Sequence, residues 1–251
     1  MKQKSFLKLR GTIDDLTFYR TKDGHLVRKA GGIDRQRILT SPDFERTREN
    51  MNEFKTISAA THYFRVALAD VLKKTKDYRL GRRLFRLFGK IKNMDTVSAR
   101  GARQVTLGLA EEDALNLLRG FDFNSNASLS SVLHAPYTFS VAEGKVDIDA
   151  FDPAGQVEAP AGATHVSLQS VAVVMDFASG VFKSVQSEAV NMSLDAVPGA
   201  VTLQPETMPG GTGFLMLLLL VEFFQEVNGT QYPLNNGGYN VLNLLDIEPA
   251  A

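Results

Sequence analysis

Residues 213–224 read GFLMLLLLVEFF, and the uninterrupted apolar run inside them, Phe214 to Val221, is the feature that most restricts how this chain can fold. The run is far shorter than the roughly 20 residues a helix needs to cross a bilayer, so no membrane span is expected. Glu222 and Glu226 follow, and Asn228-Gly229 then supplies a turn that folds the chain back as a hairpin. The run therefore reads as a strand with apolar side chains on both faces. A two-layer sandwich normally buries only one face of a strand, so the second needs a cover. The helical half of the same chain is the first candidate for that cover and a neighbouring subunit the second.

The rest of the chain divides by charge. Residues 1–120 hold 26 Lys and Arg against 14 Asp and Glu, while residues 121–251 hold only Lys145 and Lys183 against 14 acids. A formal net charge of zero thus conceals a +12 half and a −12 half, which predicts two surfaces with different partners and a boundary near Gly120. The absence of cysteine excludes a disulfide framework, a thiolate zinc site and a cysteine nucleophile. The start, MKQKSFLKLRGTIDD, has no apolar run typical of a secretory signal, so a cytoplasmic location is expected.

Periodicity fills in the elements. Near the start, Leu7 with Leu9 and Leu16 with Phe18 alternate as in strands, and Asp23-Gly24 marks a hairpin, giving two or three short strands in a basic hairpin or meander, a β-hairpin arm over residues 1–40. Ser41, Pro42, Asp43 and Glu45 form a helix start, and Phe44, Met51, Phe54, Ile57, Phe64, Leu68 and Val71 recur at helical intervals. In YRLGRRLFRLFGKIKN, one face carries Leu80, Leu84, Leu87, Phe88 and Ile91, while Arg79, Arg82, Arg83, Arg86 and Lys90 lie largely on the other. A short helix in EEDALNLLRG stops at Gly120 and closes a helical region over 41–120. From Phe121 onward, short strands separated by turn signals predict an acidic antiparallel β-sandwich of immunoglobulin-like size over 121–251. The expected fold class is α+β.

No catalytic constellation is legible. His25, His62, His134 and His165 are scattered, and no nucleophile elbow, Walker loop or dinucleotide fingerprint occurs. The chain is expected to be no enzyme and to carry no cofactor or metal; Asp147 and Asp149, two apart on a strand, are the one pair placed to share a cation, and solvated surface acids are the simpler reading. The strongest functional signal is the cationic helix face. Arg79, Arg82, Arg83, Arg86 and Lys90 suit an acidic protein surface, such as the −12 half of a second copy, or nucleic-acid phosphates. Opposite charge on the two halves favours head-to-tail contact, which builds rings or filaments. Phe6, Leu9, Leu16, Phe18 and Leu26 belong to an arm that pairs either within its own chain or along the sheet edge of a neighbour.

The blocks GTIDDLTFYRTKDGHLVRKAGG, FERTREN, DTVSARGAR, VEFFQEVNGTQYPL and YNVL, spread over most of the chain, resemble those of a family of uncharacterised bacterial proteins. That resemblance implies a bacterial protein and assigns no activity. The expectation from the residues is a structural subunit assembling into a homo-oligomeric filament, tube or shell, with a nucleic-acid-binding protein as the alternative.

Overall fold

The computed structural model describes residues 1–4, 6–29 and 32–250, with the backbone alone at 235 and 236. Two compact units divide at Asn50/Met51.

In the first unit, β1 (Gly11–Ile13), β2 (Leu16–Thr21) and β3 (Gly24–Lys29) form an antiparallel meander, the three-strand form of the arm that the sequence allows. The tight turns have chemical causes: Asp14 takes a left-handed conformation between β1 and β2, and Gly24 opens β3 just after Asp23. Residues 1–3 run along the outer side of β3, where the amide of Gln3 donates to the carbonyl of His25 and that of Val27 to Met1. Helix α1 (Arg35–Thr40) is capped by the Asp34 carboxylate, which accepts from the Arg37 amide. A 3₁₀ turn at Pro42–Phe44 begins where Ser41 caps the Asp43 amide, as the helix-start signal predicts, and leads into α2 (Glu45–Ala67). None of the described residues of this unit is buried.

The second unit is layered. Its helices are the remainder of α2, α3 (Ala69–Leu72), α4 (Leu80–Lys92), α5 (Val105–Gly108) and α6 (Glu112–Leu118). The strand region starts with β4 (Phe121–Asp122) and the short α7 (Leu129–Val132). There follow β5 (Thr138–Ser140), β6 (Lys145–Phe151), α8 (Pro153–Gln156), β7 (His165–Met175), β8 (Phe182–Gln186), β9 (Val190–Ser193) and β10 (Gly199–Leu203). The chain ends with β11 (Phe214–Val227), β12 (Thr230–Pro233) and β13 (Val241–Pro249). Seven strands make the large antiparallel sheet, in the order β4-β13-β11-β7-β8, with β9 also along β7 and β12 along the end of β11. The small sheet is β10-β6-β5.

The apolar run is β11, at the centre of the large sheet. Successive strand side chains point to opposite faces. Met216, Leu218 and Leu220 accordingly join Ile57, Phe64, Leu84 and Phe88 of the helices in one core. Leu217, Leu219, Val221 and Phe223 join Val146, Ile148 and Phe151 of the small sheet in a second core. Both covers of the two-faced strand thus come from its own chain, and fully burying each of these large apolar side chains contributes about 1.5–3 kcal/mol. The helices expected over 41–120 and the sandwich expected over 121–251 meet in this shared core. A bulge in β13 skips Leu245 between the pairs Leu217↔Asp246 and Leu218↔Leu244; this restores the alternation so that Leu244 and Ile247 both face the helices.

Candidate interaction surface

Local chemistry decides which of the cationic residues remain at the surface. Before α4, the Asp77 carboxylate accepts from the Arg79 amide at 2.7 Å and the Ser125 amide at 3.2 Å, and it pairs with Arg83 at 2.9 Å. Burial raises the Asp77 pKa, but these donors together hold it below the ordinary range. Arg83 continues inward, donating to the carbonyl of Asp122 at 2.5 Å and lying 4.8 Å above the Phe121 ring. It therefore belongs to the tie between α4 and β4 and is withdrawn from the predicted contact set. Lys92 forms a buried pair with Glu53, whose second oxygen accepts from the Gly101 amide at 2.8 Å. Lys74 reaches Glu222 on β11 at 2.9 Å, and Arg119 binds Glu112 and Asp246.

Arg79, Arg82, Arg86 and Lys90 stay exposed, Arg79 with its guanidinium 5.0 Å above the Tyr78 ring. At intervals of three and four they form one line along α4, and no acid lies within that helix. Exposed Arg65 of α2 lies beside Gly81 of α4, its guanidinium 3.8 Å from where a β-carbon at that position would sit, and extends the stripe, a residue that α2's own periodicity did not single out. Among the described residues none of Arg65, Arg82, Arg86 and Lys90 has an ion pair within the chain. They are therefore free to meet an external anion or acidic surface. The apolar stripe of α2 behaves unevenly beside it: Ile57 and Phe64 are core, whereas Met51 is exposed and Phe54 is 54% exposed, 5.9 Å from Phe85 of α4.

In the arm, Phe6 is 91% exposed, Leu9 and Leu16 are exposed, and Phe18 and Leu26 are half-buried. Strand β1 has no partner on its outer side among the described residues. The block DTVSARGAR is a loop wound about one carboxylate. Asp95, only 3% exposed, accepts from the amides of Val97, Ser98 and Gln104 at 2.9–3.0 Å. Burial alone would raise its pKa; the three amides outweigh it and hold the group at about 2. This is scaffold, since the loop carries Gly101 to Glu53.

On the acidic half, Asp147 is occupied by Lys145 at 2.8 Å and by the Thr202 hydroxyl at 2.7 Å, which is why Asp147 and Asp149, though placed together on β6, make no open cation site. No group of His, Asp and Glu able to hold a metal occurs among the described residues, and no described helix is long and apolar enough to cross a membrane. Glu188 and Glu206 are exposed at the rim of a cleft of about 730 Å³. No family model, no curated protein and no solved structure matches the chain.

Proposed function

We propose that this protein is a non-enzymatic structural subunit that assembles with copies of itself into a filament, tube or shell. The cationic stripe of one copy meets the acidic sandwich of the next, and the arm reaches across the junction. One observation carries this reading: a 50-residue unit with three strands and a helix has no buried residue among those described. A few strands without a buried face are marginal in water, and a unit of about 50 residues buries too small a share of its surface to be more than marginal by itself. Cysteine is absent, so association is the remedy that fits. The unit carries 12 Lys and Arg against 7 acids, and the available acidic surface is that of residues 121–251. Opposite surfaces on one chain favour heterologous contact, which propagates unless rotation closes a ring.

The test is negative-stain microscopy and sedimentation of nuclease-treated protein at low and high salt. Ordered polymers at low salt that dissolve as salt rises are expected, and Arg82→Glu with Arg86→Glu should abolish them. Acid-to-Lys changes on the sandwich should restore assembly of that double variant. A protein that stays monomeric at all salt concentrations and at high protein concentration overturns the proposal.

A second reading, nucleic-acid binding, draws on the stripe of Arg65, Arg79, Arg82, Arg86 and Lys90 with exposed Phe54 near it, since cations follow a backbone and aromatic faces stack bases. Fluorescence anisotropy with a labelled single-stranded oligonucleotide decides it. Binding that weakens steeply with salt and disappears in Arg82→Glu/Arg86→Glu, without polymers, favours this reading over assembly.

A further inference from the structure

The large sheet ends unevenly. Strands β8 and β9 lie one after the other along the same side of β7, and the chain leaves that line at Ser187. Ser187 explains the break. Its hydroxyl accepts from the Ser170 amide at 3.1 Å and donates to the carbonyl of Glu188, while its own carbonyl accepts from the Gln169 side chain at 2.7 Å. The backbone is therefore pinned by side chains where ladder pairing stops. Beyond it, the outer side of β8 has no partner among the described residues, and β10 is likewise the open edge of the small sheet.

Between these two open edges lies the 730 Å³ cleft. Half-buried Val185 and Val190 give it apolar lining, and Gln186, Thr202 and the exposed Glu188 and Glu206 line it as well. An unpaired strand edge is a template for another strand. Here it is apolar beneath, as Val185 opposite Ala172 shows, and acidic at the rim.

The arm has the complementary properties. Its β1 edge is open, because residues 1–3 cover the opposite edge of the meander. Ile13 at the end of β1 and Leu9 just before it are both exposed, and Arg10 adds charge to a unit already in cationic excess. The Leu9 backbone is held by the Gln3 side chain, so Leu9 contributes its side chain while Gly11–Ile13 supply the ladder.

We infer that the receptor for the arm is this cleft in a second copy of the chain, with β1 of one copy added to the outer edge of β8 in the next. Main-chain hydrogen bonds along β8 give affinity, Ile13 and Leu9 cover Val185 and Val190, and Glu188 and Glu206 select the basic arm. The inference rests on the assembly reading and specifies its contact.

The lack of native cysteine makes the test direct. Thr12→Cys protein is mixed with Ser184→Cys protein under assembly conditions and treated with a short bismaleimide; both positions are exposed, so neither change disturbs a core. A cross-linked dimer containing one chain of each kind is expected. Pairing Thr12→Cys with Val97→Cys, exposed on the loop after α4, should give none. Glu188→Lys with Glu206→Lys in the Ser184→Cys partner should cut the yield several-fold at low salt. Polymers that form without the Thr12–Ser184 cross-link overturn the cleft as receptor while leaving assembly standing. Absence of polymers under all conditions removes the assembly reading itself. Cross-linking confined to single chains of a Thr12→Cys/Ser184→Cys double variant shows the arm docking on its own copy and also overturns the inference.

Discussion

The segments Met1–Asn50 and Met51–Ala251 are built from the same kinds of element, yet only the second has an interior. Strand β2 carries Leu16 and Phe18 in a pattern as good as that of many core strands, but Leu16 is exposed and Phe18 only half-buried. Strand β11 carries eight consecutive apolar residues, of which Met216 to Val221 are wholly buried because two different layers arrive to cover them. Alternation specifies which side chains share a face. Whether that face becomes a core depends on a second element reaching it, and the first unit has none of its own.

The sharpest way to break this contrast is truncation in the larger unit. Phe64 packs against Phe88, Phe123 and Phe177 with ring centroids 5.6–5.9 Å apart. Phe64→Ala should cost about 3–5 kcal/mol in urea unfolding, from lost burial and the cavity left behind. A loss under about 1 kcal/mol would mean that the shared helix–sheet core is not the source of stability.

The next effect concerns the buried ion pair. Glu53→Ala leaves Lys92, 7% exposed, without its counter-charge and leaves the Gly101 amide unpaired. A cost of about 3–5 kcal/mol follows from stranding one buried charge. Replacing Glu53 and Lys92 together by Leu and Met should recover much of it; equal losses in the single and double variants would show that the loop contact to Gly101, not the charge, dominates.

Acid provides a smaller, graded effect. Asp95 titrates at about 2 in the folded protein against an ordinary 3.8, and Asp77 and Glu53 are also lowered. A carboxyl depressed on folding contributes stability that is complete above its unfolded value and is lost as pH falls toward its folded value. Stability should therefore decline from about pH 4 to pH 2. In Asp95→Asn the decline over that window should be shallower, as read from urea midpoints; an unchanged slope would exclude Asp95 as a contributor.

Smallest is the change in the arm. In dispersed protein at high salt, Phe18→Ala should shift the main unfolding transition by less than about 0.5 kcal/mol, since no core depends on Phe18. Under assembly conditions the same variant should lower polymer yield. A large shift in dispersed protein would show that the arm already has a covering surface.

Much of the larger unit is legible in single residues. The Glu143-Gly144 turn between β5 and β6 has Gly144 in the left-handed region, and the Asn228-Gly229 turn joins β11 to β12. The need for a second cover on the apolar run follows from strand geometry alone, and the helices supply it. The inward turn of Arg83 was not legible, because its partners, Asp77 and the Asp122 carbonyl of β4, are brought to it by the packing of α4 on the sheet. The exposure of Met51 and Phe54 was hidden for the same reason: periodicity places them on the face with Ile57, but α4 meets the start of that face only in part, with Phe85 beside a Phe54 that stays 54% exposed. A trace of the Asp95 loop does lie in the sequence, as an acid followed by small polar residues and Gly101, a pattern that signals turn chemistry only once the carboxylate is seen to collect three amides. The cleft at Ser187 depends on tertiary pairing and leaves no local signature.

The central position of β11 also bears on synthesis. Its neighbours in the sheet are β7, made earlier, and β13, made later. While a ribosome extends the chain from Phe214 to Pro249, at ~5–20 residues per second, the most apolar strand waits about 2–7 s with one edge unpaired. The order of translation thus gives nascent chains a short interval of vulnerability to aggregation, and a stall before Val241 would prolong it.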